Sequence, residues 1–197
     1  MTGRRFSTAS MTGTALLLAL GVTLPLLFHA FPLGGRIFLP MHIPTFIAGL
    51  VLGPLSGLIV GAGSPIVSAM ITGRPPVFYM VPMVFELAAY GLVTGLLRPR
   101  FEALLSGRGG RSAEPRTSGR QAGALLLTLI VAMVVGRAVW LLTVVWLAPV
   151  IGIEARTVAV ALGALGAGWV GAAIQLALVP TLVRAIERFR DPCYNES

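Results

Sequence analysis

Long apolar runs almost free of charge, separated by bunches of arginine, constrain this chain more than any other feature. From Tyr79 to Leu97 the one charged residue is Glu86, and from Ala122 to Ala148 it is Arg137. An apolar helix of about 20 residues is ~30 Å long, the thickness of a bilayer's hydrocarbon core. Backbone polar groups in hydrocarbon must be satisfied within the segment or by closed strand pairing, which leaves helices or barrels. The runs are continuous rather than alternating, so helices are expected. With 56% hydrophobic residues and only 11% charged, the chain reads as an all-α integral membrane protein, a bundle of six transmembrane helices with both termini cytoplasmic.

The expected spans are Thr12–Phe31, Pro40–Gly53, Leu55–Thr72, Tyr79–Leu97, Ala122–Ala148 and a last one from Thr157 to Arg184 or beyond. The second is short, ~21 Å if fully helical, and Gly53-Pro54 after it reads as a tight turn. Residues 37–72 are read as a helical hairpin; the alternative is a pair of broken helices lining a cavity. Gly73-Arg74-Pro75-Pro76 breaks the helix before span four. A cytoplasmic segment 1–11, a membrane domain 12–189 interrupted by a polar linker at 98–121, and a cytoplasmic tail 190–197 complete the organisation.

All 15 basic residues are arginine, and the net charge is +8. Such charge can signal nucleic-acid binding, but these arginines flank apolar runs and form no stripe interleaved with aromatics, so no nucleic-acid partner is expected. They instead give orientation. With the N-terminus inside, eleven arginines fall on the cytoplasmic side, at the N-terminus, in the linker and at the C-terminal end. Three, Arg36, Arg74 and Arg156, fall outside. This bias sets topology. Arg4 and Arg5 ahead of an apolar run also resemble a secretory signal; an uncleaved first helix is the reading adopted here. The lone Cys193 can form neither an internal disulfide nor a metal cluster.

Polar groups inside the spans are few, so each is informative. Glu86 lies ~10 Å below the outer end of span four, and Arg137 ~16 Å below that of span five. A lone charge at such depth costs about 2.5–3.5 kcal/mol on insertion scales, so each is expected to find a partner, and both side chains are long enough for the two to meet in the outer half of the membrane. The pair admits two compatible roles, fixing helix register and binding a polar solute. Tyr90 shares a face with Glu86, one turn on, and Trp140 follows Arg137 by three residues. Aromatics beside charges suit a flat, polar-edged solute; for Trp140, core packing or interface anchoring is the alternative. His42, between Pro40 and Pro44, and Arg74, in the second outer loop, complete the candidate substrate-binding set. Ordinary structural roles are the alternative for both. Counted from Thr157, Gln175 falls ~27 Å down span six, near the inner face and too deep for an outer pocket.

Catalytic patterns are missing: no His-Glu-x-x-His, no Gly-x-Ser-x-Gly and no Walker A loop. No catalytic residue, metal site or cofactor is expected. Gly163, Ala167 and Gly171 recur every four residues, with Ala164, Gly168 and Ala172 beside them. Ala15 and Ala19 lie one turn apart on span one. Such faces let helices approach closely, within this chain or against a second membrane subunit.

Taken together, Leu39-Pro40-Met41-His42-Ile43-Pro44 with Ala48-Gly49 and Gly53-Pro54, the stretch Phe85-Glu86 through Gly95-Leu96, and Gly136-Arg137-Ala138-Val139-Trp140 resemble the substrate-binding S component of energy-coupling factor (ECF) vitamin transporters. The likeness covers nearly all of residues 10–185. It implies a multi-pass subunit of a bacterial or archaeal cell membrane that captures a vitamin or precursor near the outer face. Its implied partners are a transmembrane T subunit and two ATPase subunits, which would carry out ATP hydrolysis. Ala15-Leu16-Leu17-Leu18-Ala19 matches the family's Ala-x-x-x-Ala motif, implying T-subunit contact by Ala15 and Ala19. The branch it resembles points to α-ribazole or dimethylbenzimidazole, although riboflavin, a pyrimidine or a pyridine suits the same aromatics. The Arg-rich linker 98–121 departs from the pattern and bears on docking of the T subunit. The competing readings are a membrane scaffold without ligand and an intramembrane enzyme using Glu86 as a base.

Overall fold

A computed structural model describes residues 7–29, 40–105, 118–147, 150 and 169–190. Among these the regular elements are all helical: α1 (Thr8–His29), α2 (His42–Ile47, widened into a π-helical turn over Ala48–Leu52), α3 (Pro54–Thr72), α4 (Val77–Leu105), α5 (Ser118–Leu142, widened likewise over Thr143–Leu147) and α6 (Trp169–Arg190). Five of them contain stretches long and apolar enough to cross a membrane: Thr8–Leu27, Pro54–Thr72, Tyr79–Leu105, Gly119–Trp146 and Val170–Phe189.

The described part of the second expected span, His42–Leu52, is an apolar helix of 11 residues, ~16 Å long. Phe46, Thr45 and Ala48 are fully buried, and α2 packs on α1, α3, α4 and α6. It ends at Gly53, whose φ of 106° is open to glycine and strained for other residues. Pro54 then opens α3 at a position where its missing N–H costs nothing. Gly73 closes α3 in the left-handed conformation with φ 68°, its N–H donating to the Ala69 carbonyl at 2.9 Å. Residues 73–76 are non-helical, as expected from their prolines and glycine.

Helix α4 overruns its expected end at Leu97 and continues to Leu105, while α5 starts at Ser118, so both flanks of the expected linker are helical. Arg98 explains the extension. Its Nε donates to Glu102 Oε1 at 2.7 Å, its Nη1 to the Leu50 carbonyl at 2.8 Å, and its Nη2 to Glu187 on α6. One guanidinium thus ties α4, α2 and α6 together at one end of the bundle. Residues 1–6, 106–117 and 191–197, with Arg36, Cys193, Arg156 and the stripe positions Gly163, Ala164, Ala167 and Gly168, lie outside the described residues.

Glycines set the spacing of the central helices. A Cβ on Gly91 would sit 2.1 Å from the Gly57 carbonyl oxygen, and one on Gly57 would sit 2.3 Å from that of Gly91. The same seam continues at Gly61, 2.2 Å from the Leu87 oxygen, and at Gly95, 2.3 Å from Pro54 N. Gly49 of α2 joins it, 2.4 Å from the Gly91 oxygen. Backbones therefore touch directly, the small-residue packing that membrane helices use in place of a hydrophobic driving force. Helix α1 packs along α3, with the Thr14 hydroxyl donating to Ser56 Oγ at 2.9 Å.

Gly91→Ala is expected to lower stability by about 3 kcal/mol, because the methyl group meets backbone rather than a side chain that can turn away. Gly119→Ala, with open space around it, should be neutral or gain up to about 1 kcal/mol from helix propensity. Thermal unfolding of both variants in detergent tests this pairing; a Gly91→Ala protein melting with the wild type would show that the α3–α4 contact is looser than described.

Candidate functional site

The seam determines which face of α4 is left for chemistry. Leu87, Gly91 and Gly95 repeat every four residues and face α3. Glu86 and Tyr90 occupy the adjoining stripe, rotated by ~100°. That rotation turns them toward α5 and α2, into a core formed by Met41, Phe46, Leu87, Leu125, Leu129, Ala132, Val179 and Val183.

Glu86 and Arg137 meet, as their isolation in apolar runs requires. Arg137 Nη1 donates to Glu86 Oε1 at 2.9 Å, and the Tyr90 hydroxyl donates to the same oxygen at 2.8 Å. Glu86 is buried and Arg137 partly exposed, with 28% of its side chain accessible. The carboxylate therefore has two donors, one of them charged. Such charge-assisted bonds are the stronger kind, and in a low dielectric they offset much of the cost of burial. Gly136, just before Arg137, completes the fit: its Cβ would fall 2.2 Å from the Tyr90 ring. The ring can lie flat on α5 only because no side chain projects there.

His42 is also brought to the cluster. Its ring centroid lies 5.3 Å from that of Tyr90, tilted by 51°, and Phe46, one turn later, lies 5.0 Å from Tyr90 on a 42° tilt. Tilted aromatic pairs at these separations are favourable. Phe46 was not foreseen; the i, i+4 spacing from His42 was the available signal. Trp140 is half-buried on α5, one turn beyond Arg137. Arg74 stands apart. It is exposed in the α3–α4 turn, where its carbonyl accepts from Ser68 and Thr72, and Glu86 lies nine residues, ~13 Å, along α4 from Val77.

Gln175 corrects the sequence reading. It was expected near the inner face, too deep for this site. The Arg98–Glu187 contact instead fixes the level of α6 against α4. Leu87 and Tyr90 share one core cluster with Val179 and Val183, so the two helices run in the same direction. Twelve residues separate Glu86 from Arg98, and twelve separate Gln175 from Glu187. Each interval climbs ~18 Å, which puts Gln175 level with Glu86.

Ala15 and Ala19 are exposed on α1, with Leu16 and Leu20 beside them, on the side away from Thr14 and its bond to Ser56. The described residues contain no group of three or more His, Cys, Asp or Glu able to hold a metal ion.

A family model described as "ECF transporter, substrate-specific component" matches residues 9–183. No curated protein and no solved structure matches the chain.

Replacing Arg137 by Met strands a buried carboxylate and is expected to cost about 3–5 kcal/mol. Adding Glu86→Gln should restore much of that loss, since the uncompensated charge is then gone. A double-mutant cycle on detergent melting and membrane yield measures this; simple additivity would mean that the contact contributes no coupling.

Proposed function

The chain belongs to the substrate-specific components of ECF transporters, and from that premise we propose that it captures a vitamin or vitamin precursor from the outer face for ATP-driven import. Membership implies a multi-pass membrane subunit that works with a T subunit and ATPases rather than as an enzyme itself. The observation that carries the proposal is the cluster of buried Glu86, Tyr90 and His42 with partly exposed Arg137, the one ion pair within the apolar runs of the described helices. Ionisable groups inside a membrane domain are rare and costly, which supports a functional reading of this pair.

In this reading the rings of Tyr90, His42 and Trp140 form the walls against which a flat heteroaromatic solute lies, with α-ribazole or dimethylbenzimidazole the preferred candidates. Glu86 and Arg137 hold the Tyr90 hydroxyl and present polar edges. Arg74, exposed in the α3–α4 turn, meets the solute at the entrance. Four central elements packed around one cluster favour a solute site over a bare scaffold, and the other carboxylates among the described residues, Glu102 and Glu187, are engaged by Arg98 away from Glu86, which weighs against acid–base catalysis. The arginine bias supports both termini in the cytoplasm, with the Arg98 end of the bundle inward. The exposed Ala15–Ala19 face supports docking of the T subunit on α1, where small side chains admit close approach.

Two measurements test the proposal. Protein purified in detergent and then denatured should release a stoichiometric heteroaromatic compound, read by mass spectrometry. Uptake of that compound by cells should require the ATPase subunits and should fall at least tenfold in an Ala15→Trp/Ala19→Trp variant that still binds it. An empty preparation showing no thermal shift with vitamins or their precursors would return the chain to the scaffold reading.

A further inference from the structure

The charges of the cluster are satisfied within the protein. Glu86 and Arg137 neutralise each other at 2.9 Å, and the Tyr90 hydroxyl is spent on the same carboxylate. Gln175 differs. It is buried, 2% exposed, yet its side-chain Nε2 has no hydrogen-bond partner among the described residues. Leaving a buried amide donor unmet is costly, and native proteins seldom do so without a use for it.

Its position gives the use. Gly171, Gln175, Val179 and Val183 form the buried stripe of α6. Val179 and Val183 pack in the same cluster as Tyr90 and Phe46. Gln175 is one turn above Val179 and level with Glu86, and α6 packs on both α2 and α5, the helices that carry His42 and Arg137. The amide thus belongs to the buried face of α6, at the level of the Glu86 cluster.

We propose that Gln175 is the residue that reads the solute: its side-chain amide donates to a ring nitrogen or carbonyl oxygen of an uncharged heteroaromatic compound. The inference rests on the solute-binding reading above and narrows it. The site has one positive and one negative group already paired, so a charged solute would bring its charge into a low-dielectric layer without a counter-ion. A neutral solute with an acceptor at its edge satisfies Gln175 and leaves the ion pair intact.

The test uses full-length protein in detergent at pH 8. Probes are 5,6-dimethylbenzimidazole, α-ribazole and riboflavin, together with any compound that the wild type releases on denaturation; benzimidazole-5-carboxylate is the charged counterpart. Binding is followed by thermal shift and titration calorimetry for the wild type and Gln175→Leu. A neutral probe should bind the wild type, the carboxylate should not, and Gln175→Leu should weaken binding about tenfold or more, the loss of one buried hydrogen bond. Ligand-free Gln175→Leu should melt higher than the wild type, because an unmet donor has been removed. Unchanged affinity in Gln175→Leu, a lower ligand-free melting temperature, or preference for the carboxylate would overturn the inference while leaving solute binding in place. A wild type that binds no probe and releases nothing would overturn solute binding itself, and the role of Gln175 with it.

Discussion

Direct backbone contact between Gly57 and Gly91 is the constraint on which the rest of the bundle depends. With each missing methyl group only 2.1–2.3 Å from the opposing carbonyl oxygen, α3 and α4 have one depth of approach and one rotation that fit. Gly49 brings α2 to the same point. In a lipid solvent there is no hydrophobic force to press helices together, so such close packing supplies much of the association. Fixing the rotation of α4 also fixes where Glu86 and Tyr90 point.

From that rotation the polar cluster follows in order. Tyr90 lies on Gly136, Arg137 beside it reaches Glu86, and the short α2 inserts His42 and Phe46 against the Tyr90 ring. At the opposite end Arg98 binds α2, α4 and α6 through Leu50, Glu102 and Glu187. The two arginines have different jobs. Arg98 sets the levels of the helices at one end of the bundle. Arg137 compensates a charge in its apolar interior, where an unpaired group is costly.

Two kinds of contact hold α4 in place. The α3–α4 seam is backbone on backbone and has little room to move. The polar cluster lies on the adjoining face of α4, where Arg137, His42 and Phe46 reach it through side chains, and α2, itself seated on the seam through Gly49, ends in a widened turn. Widened turns of this kind recur near functional sites because they re-aim side chains without ending the helix.

Hydropathy and charge by themselves determined that the chain is a multi-pass helical membrane protein, because hydrocarbon excludes other backbone arrangements for continuous apolar runs. They also determined that Glu86 and Arg137 each need a partner, because neither has another charged residue in its run and isolated charge in lipid is expensive; the fold brings the two together. The turns at Gly53-Pro54 and Gly73 were legible from glycine and proline chemistry. Only the tertiary structure decided that residues 42–52 are enclosed by other helices, since apolar composition cannot distinguish a lipid-facing segment from one enclosed by neighbours. It alone decided that the helix around Arg98 continues to Leu105, because the partners that hold it, Leu50 and Glu187, are distant in sequence. The level of Gln175 was likewise fixed by contact between helices. Counting along one helix gives intervals, but the origin of the count comes from where another helix touches it.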